Sequence, residues 1–144
     1  MTEEQKNNLV VHAKKLLGTP YRYGAAPEDA PGAFDCSSFT QYLFASVGIE
    51  IPRSAILQAG DANGKELTIG GEFLPGDLLF MRSDVGHYKD GLFNGRKIDI
   101  GHVVLFVGDG MILHAKSDAG GVIEQPLAEL VADPAYGIVY AKRF

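Results

Sequence analysis

The sequence predicts an α+β fold in which N-terminal helices pack on a C-terminal antiparallel β-sheet. Apolar residues recur at helical spacing in two segments of the first half of the chain. After residue 76 the pattern changes to short apolar runs that glycine-rich turns separate. Helices followed by strands with short connections are typical of α+β proteins. The 144 residues, of which 46% are hydrophobic and 22% charged, fit one compact domain over residues 1–144.

The first helix is predicted from a capping box and a glycine stop. Thr2 and Gln5 have the spacing at which a cap side chain and the third helical residue bond to each other's backbone. Gly18 and Pro20 are typical of a helix end. The predicted apolar face comprises Leu9, Ala13, Leu16 and Leu17.

A second helix is predicted over residues 36–48, with Gly48 as its stop. The apolar positions that recur at helical spacing are Phe39, Leu43, Phe44 and Val47. Cys36 therefore lies in the first turn of this helix. Residues 53–59 predict one further helical turn.

Five strands are predicted, over residues 77–82, 101–107, 111–115, 122–124 and 138–141. If residues 108–110 form a three-residue hairpin loop, residue 107 pairs with residue 111. His114 then lies opposite Val104 and on the same face as His102, as its diagonal neighbour. A two-residue loop would put the two histidines on opposite faces. The Gly-Asp-Gly sequence favours the longer loop, because glycine readily adopts the left-handed conformation that it needs.

Cys36, His102 and His114 together suggest nucleophilic catalysis. A thiolate attacks carbonyl carbon, and a helix N-terminus lowers a thiol pKa through its N–H groups and dipole. The position of Cys36 therefore predicts a lowered pKa. His102 would serve as the base and His114 would orient it. Two other interpretations remain open at this point: Cys36 as a packing residue, and a metal site formed by the three side chains.

Composition and charge narrow the classes of partner. The net charge is −5, from 13 basic and 18 acidic residues, and the basic residues are scattered, so we expect no nucleic-acid partner. No stretch approaches the ~20 apolar residues that a membrane span needs. A single cysteine excludes an intramolecular disulfide and a multi-cysteine zinc site.

Seven motifs occur in an order that resembles the NlpC-type cell-wall endopeptidases, which are papain-like cysteine peptidases. The motifs are Tyr21-Arg22-Tyr23-Gly24, Phe34-Asp35-Cys36-Ser37, Ile51-Pro52-Arg53, Leu74-Pro75-Gly76-Asp77-Leu78-Leu79-Phe80, Gly101-His102-Val103, Gly108-Asp109-Gly110 and His114-Ala115. The resemblance runs from about residue 14 to the end of the chain and implies a papain-like fold. Related acyl transferases typically carry the histidine before the cysteine, which disfavours them here.

The resemblance also implies a reaction and a set of site residues. The family usually hydrolyses the γ-D-glutamyl bond to a diamino acid in peptidoglycan stem peptides, without a metal or organic cofactor. By resemblance, Cys36 is the nucleophile, His102 the base and His114 the third, polar member. The residues expected to bind substrate or the oxyanion are Tyr21, Asp35, Ser37, Arg53 and Ser54. Peptidoglycan or its stem-peptide fragments are the expected partners.

Three positions depart from the family's pattern. Ser38 stands where the family commonly has glycine, so the packing of the second helix is expected to differ. Ala55 follows Ser54 where the family often has serine, which leaves recognition of a free amino terminus open. Residues 84–99 form a longer connection than usual, predicted as a polar loop that overhangs the cleft and shapes substrate choice. His87, within it, is interpreted as a loop residue.

Alternatives within and outside catalysis stay open. The same fold serves peptidoglycan amidases and crossbridge peptidases, and a wall-binding module with a degenerate site is a non-enzymatic alternative. The segment from Met1 to Gln5 has neither the basic nor the apolar region of a signal peptide. The location of the protein is therefore left open. It could act in the cytoplasm, be delivered by another route, be associated with a phage, or have a leader that is outside this sequence.

Overall fold

The computed structural model describes residues 1–83 and 87–144. The helices in those ranges are α1 (Glu3–Lys15), α2 (Cys36–Ser46), α3 (Ala55–Ala59) and α4 (Leu127–Val131). The strands are β1 (Lys65–Glu66), β2 (Leu78–Met81), β3 (His102–Gly108), β4 (Met111–Lys116), β5 (Gly121–Pro126) and β6 (Ile138–Arg143). Single 3₁₀ turns cover Pro27–Asp29 and Asp90–Phe93.

The strands form one antiparallel sheet in the order β1-β6-β2-β3-β4-β5. The predicted fold class is confirmed, because the longer helices precede a C-terminal antiparallel sheet. Strand β1 and helix α4 were not predicted. Among the described residues, none of the helices combines the length and the hydropathy needed to cross a membrane.

Helix α1 begins at the predicted capping box. Thr2 Oγ1 accepts a hydrogen bond from Gln5 N–H at 3.1 Å, and Gln5 Oε1 accepts one from Thr2 N–H at 2.8 Å. Leu9 and Ala13 are fully buried, as predicted. Leu17 is 44% exposed, so its assignment to the apolar face was wrong. The helix ends at Lys15, and the turn that follows it points Leu17 outward.

The core lies on both faces of the sheet, and β3 contributes to both. Val103 and Leu105 pack against α1 and α2. Val104 and Phe106 face the other way, in a smaller cluster that includes Leu130 of α4. This alternation follows from the period of two in a strand. It also places His102 on the side of Val104 and Phe106.

Asp35 fixes where α2 begins. Its Oδ1 accepts a hydrogen bond from Ser38 N–H at 2.8 Å, and Ser38 Oγ accepts one from Asp35 N–H at 2.9 Å. These two bonds form a capping box, which satisfies backbone donors that a helix start leaves unpaired. The serine at position 38, one of the departures from the family pattern, therefore has a structural role at the start of α2.

The β3–β4 hairpin differs from the predicted one and still puts the histidines on one face. Gly108 pairs with Met111, which leaves a two-residue loop, and Asp109 and Gly110 both have positive φ, at 52° and 72°. A bulge between Phe106 and Gly108 shifts the register by one residue, so that Leu105 pairs with Leu113. His114 then falls opposite residue 104. The predicted loop length was wrong, and the predicted register was right.

Gln58 of α3 ties the start of α2 to the chain that precedes α3. This fully buried side chain accepts a hydrogen bond from Thr40 Oγ1 at 2.8 Å. Its amide nitrogen donates to the carbonyl oxygens of Ser37, at 3.0 Å, and Pro52, at 2.8 Å. Because buried polar groups without partners are costly, Gln58 links the two segments strongly.

We expect Gln58→Leu to lower the free energy of unfolding by roughly 2–4 kcal/mol, because it leaves two buried carbonyl groups without these donors. Urea denaturation monitored by circular dichroism measures the change. Leu57→Ala is the matched control, since Leu57 is exposed in the same helix and should change the stability little. Equal free energies of unfolding for Gln58→Leu and Leu57→Ala would contradict the proposed link through Gln58.

Candidate active site

Cys36 begins α2 and reaches the strand that carries His102. Its half-buried side chain accepts hydrogen bonds from the backbone N–H groups of Ser37 and Val103. Val103 is the residue after His102 in β3. The helix start and the sheet therefore meet at the sulfur atom.

His102 and His114 contact each other directly. His102 Nε2 lies 2.8 Å from His114 Nδ1, and their ring centroids are 5.0 Å apart. Both side chains are buried. The bulge in the hairpin makes this contact possible, because it places both histidines on one face.

Two further side chains continue the line behind His114. Gln125 of β5 lies diagonally across from His114, and its Oε1 is 2.6 Å from His114 Nε2. Gln125 Nε2 in turn donates to Glu129 Oε1 at 3.2 Å. Sequence reasoning did not single out either residue, since an exposed glutamate and a strand glutamine carry no motif.

Burial keeps both histidines neutral near neutral pH. The pKa of His102 is lowered to about 3, mainly by burial, and the positive charges of His114 and Lys116 act in the same direction. Burial also lowers the pKa of His114 to about 4, against the opposing effect of its hydrogen bond to Gln125. Each ring therefore carries one proton, and one of its nitrogens can accept another.

The pKa of the Cys36 thiol moves in the opposite direction from the sequence-based expectation. The pKa is raised to about 11, mainly by burial, and the Asp35 carboxylate acts in the same direction. The N–H groups of Val103 and Ser37 and the Arg53 charge act to lower it, but they do not outweigh the loss of hydration. The resting pair is thus a neutral thiol beside a neutral imidazole.

Two cavities flank Cys36 and together form one groove. The first, of about 380 Å³, is lined by both Cys36 and His102. The second, of about 260 Å³, extends from Cys36 toward Arg53. The residues that line both are Tyr21, Tyr23, Cys36, His87 and Gly101. Tyr23 is 88% exposed and contributes to the wall of the groove.

The structure brings all five predicted binding residues to the second cavity. Its lining includes Tyr21, Asp35, Ser37, Arg53 and Ser54. Burial raises the pKa of the Tyr21 hydroxyl to about 12, so the group stays protonated and can donate a hydrogen bond. Ser54 also caps α3, since its side chain accepts from Leu57 N–H at 3.4 Å.

Arg53 and Asp35 are joined by a short ion pair. Arg53 Nη2 donates to Asp35 Oδ2 at 2.7 Å and to the carbonyl oxygen of Ala25 at 2.8 Å, while Nη1 donates to Ser37 Oγ at 2.9 Å. Burial opposes ionisation of Asp35, but the hydrogen bonds from Arg53 and from Ser38 N–H prevail, and the pKa of this carboxyl lies below its usual value. The pair therefore holds the helix start as well as lining the groove.

The first cavity contains groups that no motif indicated. Tyr136 places its ring 5.5 Å from the His102 ring, between centroids. Lys116 Nζ lies 5.3 Å from the centroid of the Tyr136 ring and forms a short ion pair with Asp118. His87, interpreted from sequence as a loop residue, lines both cavities. Only the fold brings these positions together, because they come from three separate loops or strand ends.

The long connection is described over residues 87–99, whereas residues 84–86 lie outside the described residues. His87 pairs with Ile100 through two backbone hydrogen bonds of 3.1 Å. Phe93 is buried, with its ring centroid 5.2 Å from that of Tyr140. Arg96 forms a bidentate ion pair with Glu66. The described part of this connection is thus fixed to the sheet at several points.

Comparison with known proteins identifies relatives over most of the chain. The model of the NlpC/P60 family matches residues 18–139. A protein named probable endopeptidase p60, from Listeria innocua, is 33% identical over 110 residues, which are 76% of this chain and 20% of that protein. The chain spans about a fifth of the length of the curated relatives that it matches.

Solved structures share the fold. The NlpC/p60 domain of the peptidoglycan hydrolase SagA superposes with a TM-score of 0.70 at 26% identity, over 96% of this chain and 98% of that domain. The peptidoglycan hydrolase RipB from Mycobacterium tuberculosis superposes with a TM-score of 0.69, also at 26% identity, over 97% of this chain and 64% of that one. The papain-like architecture expected from the motifs is thereby confirmed.

We expect iodoacetamide to modify the free protein slowly at neutral pH and faster as the pH rises toward about 11, because the raised pKa leaves little thiolate at pH 7. Intact-mass spectrometry measures the rate without ambiguity, since Cys36 is the only cysteine. Asp35→Asn, which keeps a side chain able to cap the helix, should move the profile to lower pH. A modification rate that reaches its plateau below pH 7 would instead indicate a resting thiolate–imidazolium pair.

Proposed function

This chain belongs to the NlpC/P60 family, and from that premise we propose that it is a cysteine peptidase that hydrolyses peptidoglycan stem peptides at the γ-D-glutamyl–diamino acid bond. The observation that carries the proposal is the shared cavity of Cys36 and His102, with His114 hydrogen-bonded behind His102 at 2.8 Å. Acyl-transfer catalysis of this kind needs a nucleophile, a base that faces it and a third group that orients the base.

Acylation begins from the neutral pair. As Cys36 Sγ attacks the scissile carbonyl carbon, His102 takes the thiol proton, so a free thiolate is not needed beforehand. The negative charge then passes to the carbonyl oxygen of a tetrahedral intermediate. When the intermediate collapses, the C–N bond breaks, His102 gives its proton to the leaving amine, and a thioester to Cys36 remains.

The oxyanion has two candidate donors at the junction of the cavities. The backbone N–H of Cys36 lies in the first turn of α2, where helical N–H groups have no partner within the helix. The Tyr21 hydroxyl, protonated because of its raised pKa, lines both cavities. Such preorganised donors stabilise charge that develops during the reaction.

Deacylation uses the same groups in reverse. His102 takes a proton from a water molecule, the resulting hydroxide attacks the thioester carbonyl, and the thiol of Cys36 is restored with release of the carboxylic acid. Arg53, paired with Asp35, lines the groove on one side of Cys36, and Lys116, paired with Asp118, lines it on the other.

The connection at residues 84–99 is proposed to shape substrate choice. The described part of this connection reaches the groove through His87, which lines both cavities. A substrate that occupies the groove on both sides of Cys36 would therefore pass beside this side chain.

We expect mass spectrometry of purified stem peptides and of whole peptidoglycan to show cleavage after D-glutamate by the wild type. Cys36→Ala should lower the rate by about 10³-fold or more, because it removes the nucleophile. His102→Gln should lower it comparably, whereas His12→Gln, which also removes an imidazole but at a distance from the groove, should not. Product masses separate this bond from the amidase and crossbridge alternatives. No cleavage by a folded wild type would favour a wall-binding module.

For the connection at residues 84–99, we expect His87→Ala to change KM, or the ratio of free-peptide to polymer cleavage, by about threefold or more. The change in kcat should be smaller, because His87 lines the groove and is not the proposed base. Tyr88→Ala is the matched control, because Tyr88 is exposed on the same segment and lines neither cavity. Identical substrate profiles for the two variants and the wild type would exclude a role of His87 in substrate choice.

A further inference from the structure

Glu129 and Gln125 stand in line behind the two histidines, and the catalytic steps above do not use them. A carboxylate can only accept hydrogen bonds, so Glu129 must face the NH₂ group of Gln125, as it does at 3.2 Å. The orientation of the amide is therefore decided by the glutamate. Its carbonyl oxygen is left to face His114 Nε2, at 2.6 Å.

That orientation determines where each ring carries its proton. A carbonyl oxygen can only accept, so His114 Nε2 must carry the hydrogen. A neutral imidazole carries one hydrogen, which leaves His114 Nδ1 with a lone pair. His102 Nε2, 2.8 Å away, must then be the donor, and His102 Nδ1 is the nitrogen without a hydrogen.

We propose that Gln125 and Glu129 are positioning residues that fix the tautomers of both histidines, so that His102 holds an unprotonated Nδ1 for the Cys36 thiol. The tautomers follow from the hydrogen bonds alone, and their catalytic consequence rests on the proposed function. Three consecutive hydrogen bonds join these four side chains in a line that ends at Glu129. The exposed Glu129 carboxylate can only accept, so it determines the direction in which all three bonds donate.

The opposite direction would disable the base. If the amide turned its NH₂ group toward His114 Nε2, His114 would carry its hydrogen on Nδ1 and donate to His102 Nε2. His102 would then be protonated on Nδ1 and could not take the thiol proton. The two directions use the same atoms and similar distances, so the acceptor at position 129 is what distinguishes them.

Other ionisable groups also face the pair, and the pH dependence reflects all of them. Lys116 and Asp118 lie at the end of β4 and beyond it, with opposite effects on the pKa of His114. Tyr136 contacts the His102 ring, and Cys36 lines the same cavity. These groups are unchanged in the variants below, so a shift between variants reports on the Gln125–Glu129 line.

The direct test is ¹⁵N NMR of histidine-labelled protein near pH 7, with long-range ¹H–¹⁵N couplings that distinguish the two neutral tautomers. We expect the wild type to show hydrogens on His102 Nε2 and His114 Nε2, with assignments from His102→Gln and His114→Gln. Glu129→Lys replaces the acceptor with a donor and should move the population toward hydrogens on Nδ1. Glu124→Lys makes the same change of charge at an exposed position of β5 and should leave the tautomers unchanged.

Kinetics provide a second readout. We expect Gln125→Leu and Glu129→Lys each to lower kcat by about tenfold with little change in KM, the size expected for loss of one orienting hydrogen bond to a catalytic group. Gln125→Glu keeps an acceptor toward His114 and should restore most of the activity lost in Gln125→Leu. Its added negative charge stabilises imidazolium, so the acid limb of its kcat profile should move to higher pH.

Two results would overturn the proposal: a wild-type spectrum with the hydrogen of His114 on Nδ1, or unchanged tautomers in both Gln125→Leu and Glu129→Lys. A loss of kcat in Gln125→Leu that Gln125→Glu does not restore would also count against it, because it would point to packing alone. The NMR measurement needs no substrate. Its outcome is therefore separate from that of the proposed peptidase activity, which fails if the folded wild type cleaves nothing or cleaves a different bond.

Discussion

One extra residue in β3 determines whether His102 and His114 lie on the same face of the sheet and can form the candidate site. The two-residue turn at Asp109 and Gly110, continued without irregularity, would pair residue 105 with residue 114 and turn the histidines to opposite faces. The bulge between Phe106 and Gly108 moves the register by one, and Gly108, with a φ of 100°, supplies a conformation that favours glycine. The His102–His114 contact follows from that shift, as does the diagonal contact between His114 and Gln125.

Burial, rather than the helix start, sets the resting charge state of the site. It raises the pKa of Cys36 and lowers that of His102, so neither carries a charge at neutral pH. A helix dipole equivalent to roughly half a charge does not compensate for the loss of hydration at a sulfur atom enclosed by the sheet. In the proposed mechanism, charge appears only as the thiol proton is transferred, when donors at the helix start are already oriented toward it. On that proposal, the helix start contributes to the reaction step more than to the ground state.

Features with a local cause could be predicted from the sequence. The capping box at Thr2, the glycine stop after α2 and the alternation in β3 are such features, and the ordered motifs indicated Cys36, His102 and the papain-like fold. Features that depend on tertiary context could not. Strand β1 consists of two exposed residues that pair with β6, at the far end of the chain. Gln125 carries no motif and acquires a role only through its neighbour across the sheet, and a thiol pKa depends on burial that spacing does not reveal.

The residues on the two sides of the groove differ in how freely they can be substituted. On one side the residues expected to bind substrate also hold the molecule together: Asp35 caps α2, and Arg53 joins it to the loop at Ala25. A substitution there would alter the lining of the groove and displace Cys36 at the same time. On the other side the lining includes Lys116, Ser117 and Tyr136, which do not cap the helix of Cys36. Variation in substrate among proteins of this architecture should therefore accumulate at these positions, because the position of Cys36 does not depend on them.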